Sequence, residues 1–343
     1  MSDPHPPMQI ARRTLLKGAV VGGAAIVAGS FGVGRLLRSR QKHWDPNAFP
    51  EPSRARVAVL PAASYEDPLE ALVLDGLRSI EADVSGARVV LKPNLVEFDP
   101  ETTINTDPRL VAASVLAMRK LGAVSVTVAE GPAHRRDVQD VVARSGLADA
   151  LRGVNAPFVD LNADAIRLVR LDTSYTELGE LWLPTTIGDA DVVVSMPKMK
   201  THHWAGVTLS LKNLFGTLPG RVYGWPKNIL HWQGIERSIL DIAGAVRPNY
   251  AIVDGIVGME GNGPISGTPV ASGVLVFGDD PVATDAVTAT MMGFDPGEIG
   301  YLAEAGRFLG QLELDRIEQR GEPFERFAHP FEPPPGAAAE AAG

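Results

Sequence analysis

At 343 residues, 45% hydrophobic and 21% charged, the chain has ample material for a buried core, as one large body or two lobes. It holds no cysteine, which excludes disulfides, zinc-thiolate sites and cysteine-ligated iron–sulfur clusters within this polypeptide. The formal net charge of -9 divides into about +5 over residues 1–50 and -14 over the remainder, and an acidic body argues against nucleic-acid binding.

Near the N-terminus, Arg12 and Arg13 precede Leu15, Leu16 and Lys17, and an uncharged run extends from Gly18 to Gly34 before Arg35. This order resembles a twin-arginine export signal. The resemblance implies the twin-arginine translocase as a partner during export, a periplasmic or outer-face location, and a cofactor inserted before export. The competing reading is an ordinary signal peptide or a short anchor over residues 15–37, because the uncharged run lies at the lower edge of spanning length. No clean Ala-x-Ala site appears, and Arg35, Arg38, Arg40 and Lys42 follow the run, so cleavage and retention as an anchor both stand.

Residues 46–52 read as a linker, and residues 330–343 as a disordered Pro/Ala-rich tail. The expected organisation is a signal or anchor plus linker over 1–50, an α/β domain over 51–329, and the tail. Short β-branched runs at 56–60, 87–91, 124–129, 191–196, 250–254 and 273–278 are predominantly apolar, which suits strands covered on both faces. Helical patterns at 67–80, 107–122 and 280–293 each open with Asp-Pro, a cap followed by proline at the first helical position, and the last two close at Gly122 and Gly293. The fold class is therefore α/β, with largely parallel strands and covering helices.

In such sheets ligands bind beyond the carboxyl ends of the strands. Lys92 and Asn94 follow the second run, Glu130 the third, and Lys198, Lys200, Thr201, His202 and His203 the fourth. Asp254, Glu260 and Asn262 follow the fifth, and Asp279 and Asp280 follow the sixth, leading to Asp285. Five junctions on one rim point to a single ligand site, with a structural ion-pair network as the bland alternative. The lysines, with Lys212 and Asn213 further on, suit a small anionic ligand; the carboxylates suit a hard cation or proton transfer. Among seven histidines, His202, His203 and His231 lie close to this basic stretch, and His134 lies in the segment after Glu130. Lysines nearby favour neutral imidazole, which suits a general base or a metal ligand, and His202 is preferred over His203 for chemistry.

The segments KPNLV, PKMKTHHWAGVTLSLKNLFG, DGIVGMEGNGPISGTP and DPVATDAV, in this order, closely resemble the domain of unknown function 362 family, over roughly residues 55–325. That family has no established activity. A fainter similarity, carried by HHWAGVTLSLKNLFGTLPG followed by NILH, is to the nickel-pincer lactate racemases. It implies acid/base work for His202, a cofactor tether at Lys212, a nickel ligand at His231, and a second candidate histidine at His134.

Two readings of function stand. One is an exported, metal- or cofactor-dependent enzyme on a small carboxylate, isomerase/racemase-like or redox, with His202, Lys212 and Glu130 in the chemistry and Lys92, Asn94, Lys198, Lys200, Thr201, Asn213, Asp254, Glu260 and Asn262 around the ligand. The metal candidates are His231, His203 and His134. The other is a non-catalytic anion- or metal-binding protein serving an extracytoplasmic redox partner.

Overall fold

The structure, a computed structural model, describes residues 42–132 and 137–335. The twin-arginine segment, His134 and the end of the tail lie outside the described residues. The strands are β1 (Ala55–Pro61), β2 (Arg88–Pro93), β3 (Ser125–Glu130), β4 (Phe158–Asp160), β5 (Ile166–Arg170), β6 (Glu180–Pro184), β7 (Val192–Met196), β8 (Lys198–His202), β9 (Gly206–Thr208), β10 (Tyr250–Glu260), β11 (Thr268–Val270), β12 (Val274–Gly278) and β13 (Ile317–Gly321). The main sheet runs β13-β1-β12-β10-β7-β2-β3-β4, while β5 and β6 form a separate antiparallel pair.

Alternation along the strands sends residues to two cores. Val57, Val59, Val253 and Val276 pack with helices Ile235–Val246 and Pro281–Met291 on one face. Ala58, Ile252, Leu275 and Phe277 pack with helices Leu69–Ser79 and Pro108–Lys120 on the other. Both faces are thus dry, which is why the strand runs carry so few polar residues. Helix Leu69–Ser79 sits tightly on the sheet because Gly76 has no Cβ, where one would strike the ring of Phe277.

The Asp-Pro starts behave in two ways. Asp107 accepts from the backbone N of Arg109, and Asp280 from those of Val282 and Ala283, so both cap their helices as expected. Asp67 accepts instead from the N of Ser64 at 3.2 Å, and the helix begins at Leu69 without a side-chain cap. Gly122 and Gly293 follow helix ends at φ of 94° and 82°, conformations that favour glycine.

Three expectations change. β12 is antiparallel to both β1 and β10, so Asp279 and Asp280 leave the sheet at the opposite rim; Asp279 accepts there from the backbone N of Arg56, at the start of β1. Four junctions, not five, share the carboxyl-end rim. Residues 198–202, expected as a loop, form strand β8, which pairs with the far half of β10 and turns back as β9. Finally, Phe49 in the expected linker and Phe331 in the expected tail are 6% and 5% exposed and join the core, and Trp44 stacks on Phe308 at 4.9 Å.

Candidate functional site

Beyond the ends of β2, β3 and β7 lies a cavity of about 250 Å³. Leu95, Val96, Trp204, Phe215, Pro226 and Ile265 supply its apolar walls. Of the residues singled out from the sequence, Asn94, Glu130, Lys200, His202, His203, Lys212, Asn213 and His231 all line it. Lys198, Thr201, Asp254, Glu260 and Asn262 do not, and Lys92 lies behind Glu130.

The buried lysines differ in what they touch. Lys92 pairs with Glu130, donates to Asn213 Oδ1 at 3.1 Å, and has its pKa lowered by burial. The Glu130 carboxylate also accepts from the N of Gly131. Lys198 pairs with Asp254 at 2.6 Å and donates to the hydroxyl of Tyr65, which itself donates to Asp254. Burial and the Asp254 charge raise the Tyr65 pKa. Lys200 donates to the carbonyls of Ile104 and Pro264, and Lys227 to those of Gly131 and Phe215. Burial lowers Lys200 well below its ordinary value and brings Lys227 to about 7.

Lys212 has neither a hydrogen bond nor an ion pair among the described residues. Its Nζ lies 4.4 Å from the centroid of Phe215, and part of the side chain remains open to the cavity. Burial, then the Lys92 charge, lowers its pKa to about 8. Lys212 stands on the short helix Ser210–Asn213, whose first two backbone N–H groups donate to Asp285 at 2.7 and 3.0 Å. Asp285 thus fixes that turn from the neighbouring helix, and burial raises its pKa to about 7. Leu209, Leu211 and Leu214 are fully buried on the core side, so Leu211 leaves the cavity clear.

Hydrogen bonding sets the histidine tautomers. The Nδ1 of His202 accepts from the backbone N of Trp204 at 3.1 Å and of Ala205 at 3.3 Å, so neutral His202 carries its proton on Nε2. Burial, then Lys212, holds its pKa well below the ordinary value. His203 donates from Nδ1 to Gly263 O, and His231 from Nδ1 to Lys227 O, which leaves the Nε2 lone pair of each free. His202 is therefore a donor, and the preference for it over His203 as base reverses. Burial also lowers the pKa of His231, which keeps that lone pair available.

Two further cavity atoms have no partner among the described residues. Asn94 Oδ1 is left free because Asn94 Nδ2 donates to Asn213 Oδ1, and Thr208 Oγ1 is likewise unpaired. Both atoms are themselves buried, on residues that line the cavity, and a buried polar atom without a partner is uncommon. Thr208 carried no signal in the sequence, since a threonine ending a β-branched run reads as strand. Asp285 was reached only through the sixth junction, which leaves at the opposite rim, and Lys227 was not singled out. Trp232 is 78% exposed, whereas Trp225 packs over Gly220.

The model of the domain of unknown function (DUF362) matches residues 89–290. The chain belongs to this family. That region contains every cavity residue named above. A thylakoid-associated protein of Synechocystis sp. is 31% identical over 229 residues, covering 65% of this chain and 68% of that protein. Among solved structures, the lactate racemase apoprotein from Thermoanaerobacterium thermosaccharolyticum is 14% identical with a TM-score of 0.35, covering 63% of this chain and 52% of that one. A Thermotoga maritima protein is 13% identical with a TM-score of 0.37, covering 61% and 55%. The chain spans about half the length of these two structures.

No group of three His, Asp or Glu side chains placed to hold a metal ion occurs among the described residues. The cavity volume of about 250 Å³ falls below the ~300–1,000 Å³ usual for drug-sized ligands. The cavity accommodates a small molecule.

Proposed function

We propose that this chain is an exported enzyme that performs acid–base chemistry on a small carboxylate, of isomerase or redox type. The observation that carries this reading is the unpaired amine of Lys212 in a cavity shared with three histidines. Lys212 and the Nε2–H of His202 supply donors for an anionic group. The free Nε2 atoms of His203 and His231 accept a proton, and apolar walls strengthen each interaction by excluding water. His202 acts in holding an oxyanion through its Nε2–H, since its lone pair is already used by backbone N–H groups.

Exchange of the hydrogen next to the carboxylate into deuterated water, followed by proton NMR over a panel of small carboxylates, tests this function. Exchange that disappears in His231→Gln supports it; binding without exchange on any member of the panel moves the chain to the accessory anion-binding reading. Export rests on the twin arginines, which lie outside the described residues, and no helix among the described residues is long and apolar enough to cross a membrane. Replacing Arg12 and Arg13 by lysine should retain a reporter fused to residues 1–50 in the cytoplasm; unchanged export would refute the twin-arginine route.

A further inference from the structure

Five lysines place their amines in the interior around this end of the sheet, and the fold commits four of them. Lys92 and Lys198 face carboxylates, while Lys200 and Lys227 each face two backbone carbonyls. The fifth, Lys212, meets only the face of Phe215 among the described residues and opens on the cavity. The same ring lies 5.4 Å from that of His231, so one aromatic side chain touches both the amine and an imidazole whose Nε2 lone pair is free. An amine with no hydrogen bond to break, beside a proton acceptor and within apolar walls, has what a nucleophilic lysine requires.

We infer that Lys212 is a covalent catalytic residue that forms an imine with a small 2-oxo carboxylate. This rests on the cavity being the ligand site and adds to it the substrate's carbonyl and the bond formed. The ammonium of Lys212 first passes a proton to Nε2 of His231. The freed lone pair attacks the carbonyl carbon, making the C–N bond while the C=O π pair moves onto oxygen, which takes a second proton from the nitrogen. The resulting hydroxyl leaves as water with the proton held by His231. The sum is ammonium plus ketone giving protonated imine plus water, with charge conserved and no oxidant or reductant. The carboxylate of the same molecule meets the Nε2–H of His202. The lowered pKa of Lys212, about 8, keeps a usable fraction of free amine near neutral pH, where an exposed lysine has almost none.

The test is reductive trapping. The full chain is incubated with pyruvate and sodium cyanoborohydride at pH 7, digested, and its lysine peptides quantified by mass spectrometry, with the exposed Lys120 as internal reference. The expected result is a reduced pyruvate adduct on Lys212 at least ten-fold ahead of that on Lys120, saturating with pyruvate and absent without reductant. Lys212→Arg should lose the adduct. Equal modification of Lys212 and Lys120, or none at Lys212, overturns the inference. Titration with acetate separates the two levels: if acetate binds and no adduct forms, the imine falls and the carboxylate site stands. If neither occurs, both fall.

Discussion

Two clusters of buried charge lie at the same end of the sheet, and they contrast. In the first, Tyr65, Lys198 and Asp254 satisfy one another, and Asp254 also accepts from the backbone N of Asp107. In the second, around the cavity, Lys212, Asn94 Oδ1 and Thr208 Oγ1 are unsatisfied among the described residues, and two histidines present free lone pairs. Both contain lysines from one short stretch of sequence. A closed cluster locks the arrangement of strands; an open one retains free energy for a ligand to release. This contrast separates structural from functional charge more sharply than residue type does.

The largest expected effect comes from opening the closed cluster. Asp254→Ala leaves the Lys198 ammonium buried without its counter-charge, and chemical denaturation should show a loss of about 3–5 kcal/mol. An unchanged midpoint would mean that water reaches this pair. Next is the floor of the cavity, where Gly216 lies against Glu130 and Lys92. A Cβ at Gly216 would stand 2.7 Å from Lys92 Nζ, so Gly216→Ala should cost about 1–3 kcal/mol in the same assay.

In the open cluster the direction reverses. Lys212→Met removes an uncompensated cation, so the melting temperature should hold or rise, while affinity for acetate drops about ten-fold, or ~1.4 kcal/mol, by calorimetry. A fall in melting temperature would show that Lys212 is structural after all.

The smallest effect is in pH. Because the Lys212 pKa is lowered to about 8 in the fold, the unfolded chain binds more protons from there up to 10.5. Its contribution therefore makes stability rise with pH across that window, and Lys212→Met should flatten the rise. Anion affinity runs the opposite way, weakening as pH passes about 8 and the ammonium is lost. Asp285, raised to about 7, holds its proton in the fold above pH 3.8, so its contribution to stability fades as pH climbs to about 7.

Much of the site was legible. Strand-end placement brought Asn94, Glu130, Lys200 and His202 to one rim, and the motif resemblance grouped Lys212 and His231 with His202, all of which line the cavity. What failed did so for physical reasons. Reading Asp279 and Asp280 onto that rim assumed a parallel β12, yet apolar strands look alike in either direction when both faces are buried. Choosing His202 as base overlooked that the backbone of Trp204 and Ala205 takes its lone pair, a contact set by the tight β8–β9 turn. Thr208 gave no signal, and Asp285 was named only through a misplaced junction, because their roles depend on what lies across from them.

The sequence by itself determined the α/β class, the apolar strands, the Asp-Pro caps at Asp107 and Asp280, and the family, because these follow from local propensity and contiguous motifs. Only the tertiary structure decided which lysine is free. Lys92, Lys198, Lys200 and Lys227 find their partners 38, 56, 96 and 96 residues away. Such partners meet only when the sheet closes, and Lys212 is distinguished by having none of them among the described residues.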